Sequence, residues 1–281
     1  MSDAKPQQTE DQPPRTGLWK ALGDGLAGAV GPARRGIEIV GDHLVLLAQV
    51  AYWGVRRPFR SRLFVDAMEY IGIGSLPIIT LVGAFTGAVT ALQAVNALRI
   101  LKAEGFAGSM TGMTLALELA PVLTGLMLAG RVGAGIATEL GTMRITEQID
   151  ALETMAVSPI QYLVVPRVVA GTIMAPILTM FFFLIGMVGA YIVAVFGENV
   201  DPGSFVENFR WTVDPKHIVQ GLIKAVVFGT SLTLVGCQQG YNASGGGRGV
   251  GLATTRAVVV GSVTILILDY FLSDVLLAVL K

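Results

Sequence analysis

Residues 162–196 read YLVVPRVVAGTIMAPILTMFFFLIGMVGAYIVAVF, an apolar run in which Arg167 is the only charged residue. An α-helix rises 1.5 Å per residue, so about 20 apolar residues cross the roughly 30 Å of hydrocarbon in a bilayer. This run is long enough to cross a bilayer and to project beyond it. It therefore predicts a membrane-spanning helix, and it indicates that the chain is an α-helical membrane protein.

Four further apolar runs predict membrane-spanning helices, and they cover about 71–95, 110–138, 217–237 and 250–280. Of the 281 residues, 53% are apolar and only 14% are charged. That composition is too apolar for a soluble domain of this size. We therefore predict an all-α integral membrane protein with five transmembrane helices, joined by a polar loop over 198–216 and a Gly-rich turn over 238–249.

The first 70 residues differ in character from the rest. Residues 1–16 are polar and rich in Pro and Gln, which predicts a disordered tail and not a secretory signal. In residues 17–70 the longest apolar stretch, 44–55, is too short to cross a bilayer. A basic cluster suited to anionic headgroups follows it: Arg56, Arg57, Arg60 and Arg62. We predict interfacial elbow helices over 17–70, with a full crossing as the alternative.

Basic residues indicate the orientation. The N-terminal region carries nine of the twenty Lys and Arg residues, and with five spans Arg144, Arg248 and Arg256 fall on the same side. Because loops rich in Lys and Arg stay in the cytoplasm, the N-terminus is predicted to be cytoplasmic and the C-terminus to lie outside.

A charged segment separates the second span from the third. Its apolar residues recur at helical spacing: Ile145, Ile149 and Leu152. Its acidic residues fall on other faces: Glu147, Asp150 and Glu153. The pattern predicts a short cytoplasmic amphipathic helix over about 142–155, with an apolar stripe that needs a protein surface to bury against.

Small residues recur every four positions in the first two spans, and they include Gly83, Gly87, Gly125 and Gly133. Glycine at this spacing lets two helix backbones approach closely in lipid. The pattern fits close packing within one chain and also an interface between two copies, and the sequence leaves both open.

Ionisable residues inside the predicted spans are Glu118, Arg131, Arg167, Lys224 and Asp269. Each costs about 2.5–3.5 kcal/mol at the centre of a span unless it is paired or hydrated. Glu118 and Lys224 lie roughly 12 and 10 Å in from the same side, and Asp269 lies near the middle of the last span. These three predict either a shared polar cavity or a buried ion pair. Arg131 and Arg167 lie nearer the cytoplasm, where snorkelling or pairing at a helix end explains them.

Several kinds of chemistry are not expected. No Gly-Lys dipeptide occurs, so the chain carries no phosphate loop of its own for ATP. Cys237 is the only cysteine and the two histidines, His43 and His217, are far apart, so neither a disulfide nor a metal site is predicted. A net charge of zero argues against nucleic acid as a partner. The sequence predicts neither an enzyme nor a bound cofactor.

Five short sequences then carry a family resemblance: ELAPV at 118–122, AGRVG at 129–133, ATELG at 137–141, MAVSP at 155–159 and ATTRAV at 253–258. They resemble the MlaE family of ABC-transporter permeases, which act with MCE proteins in lipid trafficking. The resemblance extends from about Gly72 to the C-terminus, and so implies a permease domain over 71–281.

The resemblance implies a multi-pass permease of the cell inner membrane that moves phospholipids or related lipids to or from a periplasmic MCE-domain protein. It also implies a homodimer bound to a cytoplasmic ABC ATPase that binds and hydrolyses ATP, with the 142–155 helix as the coupling helix. Glu118, Lys224 and Asp269 would then line a lipid cavity. The alternative is a stand-alone secondary transporter or channel that uses these three residues as an ion or proton relay.

Overall fold

The computed structural model describes residues 41–54, 56 and 60–279, and every regular element within them is helical. The predicted tail (1–16) and residues 17–40 of the predicted elbow lie outside the described residues. The chain divides into two compact units, Met1–Val45 and Leu46–Lys281. Of the first unit, residues 41–45 are described, and they are helical.

Within the described residues, five helical runs are long and apolar enough to cross a membrane: Ser61–Arg99, Glu104–Ile145, Ile160–Gly197, Pro215–Tyr241 and Gly246–Val279. The predicted all-α class and the five spans are thereby confirmed. We number the helices in chain order, with α1 over residues 41–54.

The first run is two helices, α2 (Ser61–Ile71) and α3 (Leu76–Arg99), joined by a short 3₁₀ turn. Residues 61–70, the last part of the predicted elbow (17–70), lie in α2, and their interfacial position stays a prediction. Arg131 stabilises the break, because its Nη1 donates to the Tyr70 carbonyl at 3.0 Å and to Ser75 Oγ at 2.9 Å.

The second run consists of α4 (Ala107–Thr114), α5 (Ala120–Leu128) and α6 (Ala134–Ile145). Two π-helical turns join them, Leu115–Leu119 and Ala129–Gly133. Such turns widen a helix locally and often mark functional positions. Two of the five intramembrane charges, Glu118 and Arg131, lie in these turns.

The predicted coupling helix is shorter than expected. The second run continues to Ile145, and the chain then passes through Glu147 in the left-handed conformation (φ 60°) before α7, Gln148–Thr154. Residues 142–145 therefore belong to the second span. The separate helix is seven residues long instead of covering 142–155.

The third run contains α8 (Val165–Ile192). The predicted polar loop after it contains a helix, α9 (Pro202–Thr212), whose N-terminus is capped by Asp201 Oδ2, which accepts from the Ser204 backbone N–H at 2.7 Å. This hydrogen bond lowers the pKa of the Asp201 carboxyl, which is outside the spans. An Asp-Pro pair before a helix is a known start signal, so α9 was readable from the sequence.

The last two helices are α10 (Pro215–Tyr241) and α11 (Gly246–Val279). The turn between them is much shorter than the predicted 238–249. It reverses the chain through Gly245 and Gly246, both at positive φ, a conformation that glycine adopts without steric cost.

In the bundle, α8 packs between α3 and α10, and α10 packs against α6 and α11. At one end lies α7, and we call it the α7 end. At the other lies α9, which packs on α4, and we call it the α9 end.

Candidate functional site

Lys224 lies on α10, nine residues after the first residue of that helix, or about 14 Å from its start. Its side chain is 3% exposed. A buried ammonium in a membrane-spanning helix is stable only if all its protons find acceptors and its charge is balanced.

All three protons of the ammonium have acceptors. Nζ donates to Glu118 Oε2 at 2.9 Å, to Ser273 Oγ at 2.7 Å and to the Leu117 carbonyl at 3.0 Å. Asp269 Oδ1 lies 3.0 Å from the same Nζ as an ion-pair partner, outside hydrogen-bonding geometry. We call Lys224, Glu118, Asp269 and Ser273 the Lys224 cluster.

Pro121 explains why the Leu117 carbonyl is available. In a regular α-helix the backbone N–H of residue 121 would donate to that carbonyl, and proline has no N–H. Leu117 also lies within the π-helical turn Leu115–Leu119, where the regular pattern of α-helical hydrogen bonds is interrupted. The sequence around Glu118 thus supplies two acceptors to one ammonium, a carboxylate and a backbone carbonyl.

The other half of the cluster comes from α11, where Asp269 and Ser273 are four residues apart and therefore on one face. The single proton of the Ser273 hydroxyl is directed at two acceptors, the Asp269 carbonyl at 2.8 Å and Glu118 Oε1 at 3.2 Å. Through this hydroxyl the last helix is connected to the second span.

The two carboxylates are unequal. The Asp269 side chain is 19% exposed, whereas that of Glu118 is 46% exposed. One buried ammonium therefore faces one largely buried carboxylate and one carboxylate that reaches the surface of the chain.

The structure brings together the three residues predicted to share a site, Glu118, Lys224 and Asp269. Lys224 forms the predicted ion pair with Glu118 and with Asp269. The predicted lipid cavity at these residues stays a proposal, and the exposure of Glu118 is compatible with it. The sequence reading missed Ser273 and the Leu117 carbonyl. The pattern Asp-x-x-x-Ser on an apolar helix and the proline four residues after Leu117 were the available signals.

The other two intramembrane charges are paired inside the chain. Arg167 Nη2 forms an ion pair with Glu139 Oε1 at 2.7 Å, and its Nη1 donates to the Leu163 carbonyl at 2.7 Å. Arg131 stabilises the break between α2 and α3, as described above. Both serve helix pairing, in agreement with the explanation given from the sequence.

The residues predicted to contact an ATPase are largely tied to their own chain. Ile149 is fully buried and Leu152 packs against the same core. Asp150 forms an ion pair with Arg144, and the Tyr241 hydroxyl donates to Glu153 at 3.3 Å. The predicted apolar stripe therefore buries against the core of its own chain, and a partner can reach only the exposed side of α7.

The four glycines also make contacts within the chain. A Cβ on Gly87 would overlap the Gly186 carbonyl, and one on Gly83 would lie 3.2 Å from the Phe182 carbonyl, so both serve the crossing of α3 with α8. A Cβ on Gly125 would lie 3.4 Å from its nearest neighbours and one on Gly133 3.9 Å away, which are ordinary distances. Close approach within the chain thus explains Gly83 and Gly87.

Residues 64–275, which include the whole Lys224 cluster, match the family model described as Permease MlaE. The chain belongs to the MlaE permease family. The match leaves out α1, the start of α2 and the last residues of α11.

Named relatives agree with this membership. The chain is 40% identical over 220 residues to the "Probable ABC transporter permease protein" of Rickettsia felis, covering 78% of this chain and 85% of the relative. It is 38% identical over 218 residues to the "Intermembrane phospholipid transport system permease protein MlaE" of Haemophilus influenzae, covering 76% and 82%. It is 33% identical over 232 residues to "Protein TRIGALACTOSYLDIACYLGLYCEROL 1, chloroplastic" of Arabidopsis thaliana, covering 82% and 66%. This MlaE-family permease is thus a multi-pass membrane protein of the ABC-transporter permease type.

Proposed function

We propose that this permease is the membrane subunit of an ATP-driven transporter that moves phospholipids between the inner membrane and a periplasmic MCE protein. The observation that carries the proposal is the Lys224 cluster, in a chain of the MlaE family. A phospholipid presents a phosphate, and the cluster holds a buried ammonium whose partner Glu118 is half exposed. Glu118 balances the charge when the site is empty, and the phosphate takes over when lipid is bound.

The α7 end is the cytoplasmic end in this proposal and the α9 end is the periplasmic one. The orientation follows from the basic residues of the N-terminal region, and it places the C-terminus in the periplasm. The MCE partner would meet the α9 end, and the second copy of a homodimer would close the open side of Glu118. ATP would be bound and hydrolysed by the cytoplasmic partner.

Lipid transfer by the reconstituted complex tests this function. We expect proteoliposomes that contain the permease and its ATPase to transfer fluorescent phospholipid to a soluble MCE acceptor only when ATP is present. Glu118→Gln should reduce the transfer rate about tenfold or more while complex assembly is retained, since the amide keeps its size but loses the charge that Lys224 balances. The rate is measured by fluorescence dequenching.

The matched control for charge is Glu69→Gln, an exposed carboxylate on α2 that is outside the cluster and away from α9. Its transfer rate should stay within twofold of the unmodified complex. Transfer or ion flux by the permease without the ATPase would contradict the proposal and favour a stand-alone secondary transporter.

The exposed side of α7 yields a separate prediction about the ATPase. Ala151 and Met155 are exposed and lie one helical turn apart, whereas Ile149 is buried. We expect Ala151→Arg to reduce co-purification of the ATPase at least fivefold, because a long charged side chain prevents close docking. The permease itself should keep its melting temperature. Ile149→Asp should instead destabilise the permease, since it buries a carboxylate in the core. Normal ATPase stoichiometry with Ala151→Arg would show that α7 is not the main contact.

A further inference from the structure

Two neighbouring cavities at the α7 end lie outside the Lys224 cluster and have no role in the proposed transport path. The first, of about 210 Å³, lies between the end of α1, the start of α2 and the turn before α8. The second, of about 420 Å³, lies between α2, α6 and the start of α8. They share three lining residues, Leu63, Tyr162 and Pro166, so they adjoin along α2.

Arg56 and Arg60 line the first cavity, and aromatic rings position the guanidinium of each. The Arg56 guanidinium carbon lies 4.1 Å from the ring centre of Tyr52 and 5.7 Å from that of Trp53. The Arg60 guanidinium carbon lies 4.9 Å from the ring centre of Tyr162. Stacking of this kind uses the face of a guanidinium and leaves its N–H edge free to donate to an anion.

Neither Arg56 nor Arg60 has a carboxylate partner within the described part of the chain. In contrast, Arg99, Arg144 and Arg167 all form ion pairs there. Two adjacent guanidiniums without a carboxylate leave an excess of positive charge at one cavity. That charge suits a phosphate, which accepts two parallel hydrogen bonds from an arginine.

The first cavity also has neutral polar side chains, and a hydrogen bond fixes one side of it. Ser158 and Gln161 line it, and Gln161 Nε2 donates to the Arg56 carbonyl at 3.0 Å. This hydrogen bond ties the segment after α1 to the π-helical turn Ile160–Val164 that begins the third span. Contacts within the chain thus hold both arginines beside this turn: Arg56 through its carbonyl and Arg60 through Tyr162.

The second cavity extends the first, and its wall is mainly apolar, with Ala67, Ile71, Ile136 and Leu163. Its charged lining residues are Asp66 and the ion pair of Glu139 with Arg167. Its volume lies within the range of about 300–1,000 Å³ typical of small-molecule sites. A phosphate with a hydrocarbon chain attached matches the two cavities in order, with the charge at Arg56 and Arg60 and the chain along α2. A soluble phosphate would leave the apolar wall unused.

We propose that the cavity formed by Arg56, Arg60 and Tyr162 binds the phosphate of an anionic phospholipid, whose acyl chain follows the adjoining cavity along α2. This is a second lipid site, remote from the Lys224 cluster. Its place in the cytoplasmic leaflet rests on the orientation proposed above, but binding at the site does not depend on transport.

Trp53 lines the first cavity and offers a direct reporter of a bound lipid. The chain has three tryptophans, so Trp19→Phe with Trp211→Phe leaves Trp53 alone. We would place the full-length variant in nanodiscs of phosphatidylcholine with 20% phosphatidylglycerol and measure quenching of Trp53. Bromine would be carried on the acyl chains of either one lipid or the other.

We expect brominated phosphatidylglycerol to quench Trp53 at least fivefold more, per mole of lipid, than brominated phosphatidylcholine. Each arginine that meets an anionic headgroup contributes about a fivefold gain, so this lower bound requires only one of the two to do so. Arg56→Gln with Arg60→Gln should reduce the preference to about one. Arg56→Lys with Arg60→Lys should remove most of it, since lysine keeps the charge but not the stacked planar fork.

Arg62→Gln is the matched control, because Arg62 is exposed on α2 close to Arg60 and lines neither cavity. It should leave the preference unchanged, whereas general attraction to a charged surface would lower it as much as a substitution at Arg60. Equal loss in Arg62→Gln, or full preference in the double lysine variant, would overturn the proposal. So would loss of the preference with inorganic phosphate at constant ionic strength, because the site would then take a soluble anion. Failure of lipid transfer in the reconstituted complex would contradict the proposed function but would not affect this binding result.

Discussion

Lys224→Met should lower the free energy of unfolding of this permease by about 3–5 kcal/mol, the range measured when one partner of a buried ion pair is removed. The substitution leaves Asp269 without its cation and takes the donor from the Leu117 carbonyl. Methionine fills a similar volume, so a packing defect adds little. Unfolding would be followed by circular dichroism during titration of mixed micelles with a denaturing detergent.

Lys216→Met is the matched control, since it removes an exposed lysine from the first turn of the same helix. Exposed charges of this kind contribute about 0–1 kcal/mol. Adding Asp269→Asn to Lys224→Met should restore part of the loss, because the uncompensated buried charge is then gone. If Lys224→Met costs no more than Lys216→Met, the cluster does not hold the helices together, and Lys224 would serve the substrate alone.

Gly87→Ala should also destabilise strongly, by about 3 kcal/mol or more, at the upper end of what overpacking costs. The added Cβ would overlap the backbone carbonyl of Gly186, and a backbone in the middle of a helix cannot rotate away as a side chain can. The variant must therefore push α3 and α8 apart, which are in extensive contact along their lengths. The same detergent titration measures the effect.

Gly133→Ala is the control on the other glycine stripe, where the nearest atom to the added Cβ is the Leu232 carbonyl oxygen at 3.9 Å. We expect it to be neutral or stabilising by up to about 1 kcal/mol, because alanine is the better helix former. Equal destabilisation by both substitutions would mean that the close approach at Gly87 is not specific. It would also reopen an interface between two copies as the reason for the stripe at Gly133.

The sequence by itself determined that this chain is an all-α membrane protein with five spans and a member of the MlaE family. Spans follow from length and apolar content, which are local properties of a segment, because the cost of placing backbone and charge in hydrocarbon is paid residue by residue. For the same reason the five intramembrane charges could be listed without a structure. The start signal Asp201-Pro202 is equally local, so α9 could have been predicted from the sequence although residues 198–216 were predicted to be a loop.

Only the tertiary structure decided which of those charges meet and which glycines are crowded. Lys224 lies far along the chain from both Glu118 and Asp269, and their contact depends on how three helices rotate about their axes, which hydrophobic content does not fix. The stripes at Gly87 and Gly133 have the same spacing, yet an added Cβ would overlap a backbone only at Gly87. Ile149 likewise belongs to an apolar stripe that fits a partner surface, but its side chain is buried in the core of its own chain. The hydrophobic effect is not directional, so the sequence pattern does not show which apolar surface a stripe packs against.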